Sequence, residues 1–115
     1  MIVENDAEMT RLLEIIFVEE GLRVVTASNG QEALDLLSHS AIPQVILSDV
    51  TMPIMGGLEL TSKLKSDAKT KDIPVILSSG LSDFESTSHE SGATAFLKKP
   101  YNIEAVIDLV KSHLN

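Results

Sequence analysis

Hydrophobic positions along the chain follow two alternating rhythms. Short apolar runs stand at Met1-Ile2-Val3, Arg23 to Ala27, Val45-Ile46-Leu47, Ile73 to Leu77 and Ala95-Phe96-Leu97. Runs of this length, bounded by turn residues, read as strands buried on both faces. Between them the spacing changes to three and four residues. Met9, Leu12, Leu13, Ile16 and Phe17 predict a helix starting at Glu8 and stopped by Gly21. The Asn29-Gly30 turn leads into a second helix carrying Ala33, Leu34 and Leu37. A third, after Gly57, carries Leu58, Leu60, Leu64 and Thr61 and ends in the polar stretch Ser66 to Asp72. Leu81 to Ser91 is the weakest segment: its serines and threonine are poor helix formers, and only Leu81 and Phe84 are strongly apolar. It reads as a weak fourth helix ended by Gly92. Ile103, Val106, Ile107, Val110 and Leu114 predict a strongly amphipathic last helix.

Five alternations of strand and helix predict an α/β fold with right-handed crossovers. The expected form is a doubly wound, five-stranded parallel sheet of order 2-1-3-4-5, flanked by five helices. The first strand reads as cut short, as in a longer strand entered part-way or a domain excised with an added start.

Length and composition narrow the possibilities. At 115 residues the chain is expected to be one domain over residues 1–115, with no linker, repeat or low-complexity segment. With four aromatics in all, the core must be aliphatic. The net charge of −8 argues against electrostatic binding of nucleic acid or an anionic membrane, and is compatible with a cation site. Without cysteine there is no disulfide, thiol chemistry or Cys-based zinc site. His39, His89 and His113 lack metal-ligand spacing and read as surface residues. Neither a membrane-spanning run nor a signal peptide is visible, so a cytoplasmic location is expected.

The chemistry gathers around Gln44 to Gly57, QVILSDVTMPIMGG. Pro43 opens the central strand, and Asp49 falls at its carboxyl end, where open α/β sheets place their ligand crevice. Met52-Pro53 forces an extended step and Gly56-Gly57 allows a tight turn. Alone, Asp49 is most simply a strand-ending residue that caps a turn. Other strand ends change that reading: Glu4, Asn5 and Asp6 follow the first strand, Ser79 follows the fourth, and Lys99 follows the fifth. In the expected strand order these ends lie along one edge. Carboxylate and carbonyl oxygens suit Mg²⁺, and a lysine and a hydroxyl suit a phosphoryl group.

On these residues the chain resembles the receiver domains of two-component response regulators. The motifs are Glu4-Asn5-Asp6, Asp49 with Met52-Pro53 and Gly57, Ser79-Gly80 and Lys99-Pro100, and the likeness covers nearly all of the chain. The resemblance implies a flavodoxin-like fold and an Asp49 that accepts phosphate from a histidine kinase or histidine phosphotransfer protein. It implies Mg²⁺ held by Glu4, Asn5, Asp49 and the Thr51 carbonyl. Ser79 would bond the phosphate, Lys99 would pair first with Asp49 and then with the phosphate, and Phe96 would change rotamer with Ser79. An output domain or effector protein would read the surface formed by the weak helix, the fifth strand and the last helix. The positions flanking the hydrolytic water would be Thr51 and Leu81, neither an acid nor an amide, so slow self-dephosphorylation is expected.

Two positions depart from the family pattern. Asn5 stands where a second acid is most frequent, and Asp6 could compensate through a water. Gly56 replaces a frequent Asp, which is expected to alter turn flexibility and not chemistry. Plain structural roles remain open for several residues: Lys99 as a surface charge, Ser79 as a helix cap, Phe96 as core. Competing functions are a degenerate receiver that binds protein without phosphorylation, supported by Asn5 alone, and a small Asp-nucleophile phosphatase. The latter needs an acid two positions after the nucleophile, where Thr51 stands. A flavin-binding protein of the same fold would need a Ser/Thr-Gly phosphate loop after the first strand, and none follows.

Overall fold

The computed structural model describes residues 1–40, 42–80 and 92–114. Five strands, β1 (Ile2–Val3), β2 (Thr26–Ala27), β3 (Ile46–Asp49), β4 (Val75–Ser79) and β5 (Ala95–Lys98), form one parallel sheet. Their order is β2-β1-β3-β4-β5. Four helices belong to the described residues: α1 (Ala7–Glu19), α2 (Gly30–His39), α3 (Gly57–Lys65) and α4 (Ile103–Lys111). The weak helix expected over Leu81 to Ser91 lies outside the described residues.

Side chains alternate across a strand, so each strand feeds two cores. On one face Val3, Ile46, Val75 and Leu77 pack with Ala33 and Leu37 of α2 and with Leu60 and Leu64 of α3. On the other face Ile2, Leu47 and Ile76 pack with Leu13 and Phe17 of α1 and with Val106 and Val110 of α4. Ile46, Val75, Ile76 and Leu77 are fully buried, which is why these strands read as unbroken apolar runs.

Two expectations need correction. The second strand is shorter than Arg23 to Ala27: only Thr26–Ala27 pair along β1 as strand, although Val25 still accepts from the Ile2 N–H at 2.8 Å. In α1, Leu12 is 45% exposed, while Leu13 and Phe17 are buried and Met9 packs against them. A helix turns about 100° per residue, so Leu12 sits off the flank of the buried stripe.

Helix starts are fixed locally. Asp6 accepts from the Glu8 and Met9 N–H groups, Asn29 from Glu32, and Asn102 from Glu104 and Ala105. Each satisfies amides that the first turn leaves unpaired. Helix α3 begins differently, at Gly56, with no side-chain cap.

Candidate functional site

Parallel order puts the carboxyl ends of β1, β3, β4 and β5 on one edge. Asp49 is the last residue of β3, partly exposed, and in register with Ser78 of β4. Its Oδ1 accepts from the Val50 N–H at 2.9 Å, which orients the carboxylate. Its Oδ2 lies 3.5 Å from Lys99 Nζ. The same ammonium donates to Glu4 Oε1 at 3.1 Å. Lys99 thus joins two carboxylates carried by two different strands, and it sits nearer to Glu4 than to Asp49.

Electrostatics follow from burial. Glu4 is buried, and its Oε2 has no hydrogen-bond partner among the described residues. Burial first, then the neighbouring Asp49 carboxylate, push the Glu4 carboxyl above its ordinary range, with Lys99 pulling the other way. Burial works against the Lys99 ammonium too. The Glu4 hydrogen bond and the charges of Asp49 and Glu4 outweigh it and hold the lysine above its usual value.

The other expected residues fall around this trio. Asn5 and Thr51 are exposed beside Glu4 and Asp49 respectively. Ser79 ends β4 and is buried, and its carbonyl accepts from the Lys99 N–H at 2.9 Å. Phe96 is half-buried on β5, opposite Leu77, and packs against the α2–α3 core. Asp6 spends Oδ1 on the cap of α1, so one oxygen of the carboxylate expected to assist Asn5 is committed elsewhere. Leu81 lies outside the described residues. His39 is exposed at the end of α2 and His113 half-buried just after α4; His89 is not among the described residues.

The loop after Asp49 is tightly braced. Val50 donates to Ser78 O at 2.9 Å, Gly57 to Val50 O at 2.9 Å, and Gly30 to Met55 O at 2.9 Å. A Cβ on Gly57 would stand 2.2 Å from Asp49 O, so α3 starts against the backbone of Asp49 only because residue 57 has no side chain. Gly56 has ordinary extended backbone, but a Cβ there would meet Val50 O at 2.7 Å. The glycine at 56 therefore removes a capping side chain from α3 and permits close packing. Between these fixed points Ile54 takes φ +67° and is 80% exposed. That left-handed conformation is unfavourable for a β-branched residue.

One neighbour was missed at the sequence level. Tyr101, two residues after Lys99, is half-buried. Burial raises its phenol, Lys99 works against that rise, and Glu4 and Asp49 add to it. An aromatic directly after Lys-Pro was the available signal.

The sequence matches the response regulator receiver domain family over residues 1–111. The chain is a response regulator receiver domain. Among curated relatives, this receiver domain is 33% identical to the polar-differentiation response regulator DivK of Brucella anthropi, over 99% of the chain and 94% of DivK. It is 32% identical to a probable transcriptional regulator, ycf29, of Porphyra purpurea, over 97% of the chain and 54% of that protein. It thus spans about half the length of such relatives. Among solved structures, the signal receiver domain of a signal transduction histidine kinase from Syntrophus aciditrophicus superposes with a TM-score of 0.91. That pair shares 37% identity over 98% of this chain and 86% of the other. The receiver domain is a signalling domain of two-component systems, and no helix among its described residues is long and apolar enough to cross a membrane.

The residues fit a hard divalent cation. Among the described residues Glu4 Oε2 is a buried, unpartnered oxygen near the Asp49 carboxylate, and the Asn5 amide and Thr51 carbonyl belong to the adjoining loops. Oxygen donors with few carboxylates suit Mg²⁺.

Proposed function

We propose that this receiver domain is a phosphoryl-accepting switch in which Asp49 takes phosphate from a phosphohistidine on a histidine kinase or phosphotransfer protein. One observation carries the reading. A carboxylate at a strand tip has one oxygen fixed by a backbone N–H and the other facing a lysine, beside a buried acid with a spare oxygen.

In the transfer, Asp49 Oδ2 attacks the phosphorus. The O–P bond forms as the N–P bond breaks, and the imidazole nitrogen leaves and takes a proton from solvent. Lys99 and the Ser79 hydroxyl offer positive charge and a donor to the transferred oxygens. Glu4, Asn5, Asp49 and the Thr51 carbonyl would hold Mg²⁺, which supplies Lewis-acid charge when bound. Hydrolysis returns inorganic phosphate and the carboxylate. Thr51 brings no acid or amide to the attacking water, which supports a long-lived phosphorylated state. The surface read by an output domain or effector includes β5 and α4, and Phe96 on β5 would couple it to Ser79; the expected contribution of residues 81–91 lies outside the described residues.

Intact-mass measurement after acetyl phosphate treatment tests the assignment. The wild type should gain one phosphoryl group in Mg²⁺ and none after chelation, and Asp49→Asn should gain none while remaining folded. Full labelling of Asp49→Asn would remove Asp49 as the acceptor.

A further inference from the structure

The loop after Asp49 is closed at its base by the Gly57 N–H on Val50 O. At its tip the Met55 N–H donates to Pro53 O at 2.7 Å, which closes a three-residue turn with Ile54 at the apex and φ +67°. This is the rarer and more strained of the two γ-turns, the one with positive φ at its centre. Both ends of the turn are held. Pro53 fixes its own φ, and Met55 is buried, with its carbonyl accepting from the Gly30 N–H. Ile54 stands out into water next to an exposed Pro53, and it packs in neither of the two cores. Glycine takes positive φ freely, and asparagine takes it more readily than a branched residue. The fold of the domain gives no reason for isoleucine here.

Position relative to the acceptor supplies one. Val50 N–H holds Asp49 Oδ1, and Ile54 follows Val50 by four residues. Whatever path the loop takes, the two Cα atoms are therefore within about 14 Å of each other. A protein partner of ordinary size covers roughly 800 Å², a disc of about 16 Å radius. A protein centred on Asp49 while it delivers its phosphohistidine thus covers Ile54 as well. A phosphoryl donor of a few atoms does not.

We propose that Ile54, with Pro53 beside it, is a contact through which this receiver domain reads its protein phosphodonor. The donor presents an apolar patch next to its phosphohistidine, and the Ile54 side chain is buried against that patch during transfer. The proposal rests on Asp49 being the acceptor. Ile54 is a positioning residue, since it touches neither the phosphorus nor the metal ligands. The strained turn holds the side chain clear of its own domain, and a partner that covers it removes apolar surface from water. Such a contact is made before the transfer as fully as during it. Its loss should therefore raise KM and leave kcat as it was.

The test compares the wild type, Ile54→Asn and Ile54→Val with two donors in Mg²⁺. The small donor is phosphoramidate. The protein donor is a phosphorylated histidine phosphotransfer domain, taken from a panel as the one that labels the wild type fastest. Phosphoramidate should label all three proteins at the same rate. With the protein donor, Ile54→Asn should lower kcat/KM about tenfold, through KM. Ile54→Val keeps a branched apolar side chain and should stay near the wild type. Equal slowing with both donors would place the effect in the geometry of Asp49 and overturn the proposal. Undiminished transfer from the protein donor to Ile54→Asn would overturn it, as would failure of the whole panel on a wild type that phosphoramidate labels. So would a wild type that self-associates in sedimentation beside an Ile54→Asn variant that does not, because the tip would then belong to a second copy. A wild type left unlabelled by phosphoramidate would remove Asp49 as the acceptor, and the proposal with it.

Discussion

An amide at position 5 brings a dipole to a place where a carboxylate would bring a full charge against a dication. Asn5→Asp should therefore tighten Mg²⁺ by about tenfold, a small part of the attraction between such charges even at surface-like screening. Titration of the metal reads it, and unchanged affinity would take Asn5 out of the ligand set. Its companion is Asp6→Ala. Since Asp6 caps α1, that change should cost about 1 kcal/mol of stability while leaving Mg²⁺ affinity where it was. If Asp6→Ala weakens the metal instead, the carboxylate serves both the helix and the ion. The sequence could place Glu4, Asp49 and Lys99 on one edge because strand order alone does that. It could not say that the ammonium would lie 3.1 Å from Glu4 and 3.5 Å from Asp49, or which way Asp6 would turn. Those depend on rotamers and helix starts, which no apolar pattern encodes.

At the scale of elements, the contact between α3 and β3 is made of backbone on both sides. Gly57→Ala puts a methyl group 2.2 Å from Asp49 O, so the helix must back away or the strand end must shift. The expected cost is about 1–3 kcal/mol or more, read from urea unfolding. Phosphorylation by acetyl phosphate should slow as well, because the same shift moves the acceptor. A variant as stable and as reactive as the wild type would mean that the loop relaxes freely. The elements were the most legible part of the chain: β3 and β4 announced themselves as unbroken apolar runs because both faces are covered. Leu12 misled, since it is apolar at helical spacing yet lies outside the buried stripe. Spacing alone cannot tell a broad stripe from a narrow one.

At the scale of the molecule, the buried Met1 amine links folding to pH. Its value falls from 8.0 to about 6, so between those limits the unfolded chain binds a proton that the folded chain refuses. Stability should rise as pH goes from 6 to 8, by on the order of 2 kcal/mol, and level off above. Urea unfolding of the free and the N-acetylated chain isolates the effect, because acetylation removes the titrating group and leaves the histidines alone. An identical pH dependence in both would assign it elsewhere. Ile54 has a different bearing on the whole. A branched side chain held in the left-handed region and turned toward water costs about 1–3 kcal/mol. Ile54→Asn should raise the melting temperature, and a fall would mean that the isoleucine makes up the strain within the domain. Someone composing a sequence for this backbone alone would put glycine or asparagine there. The isoleucine beside Asp49 is the letter in the text that folding would not have written.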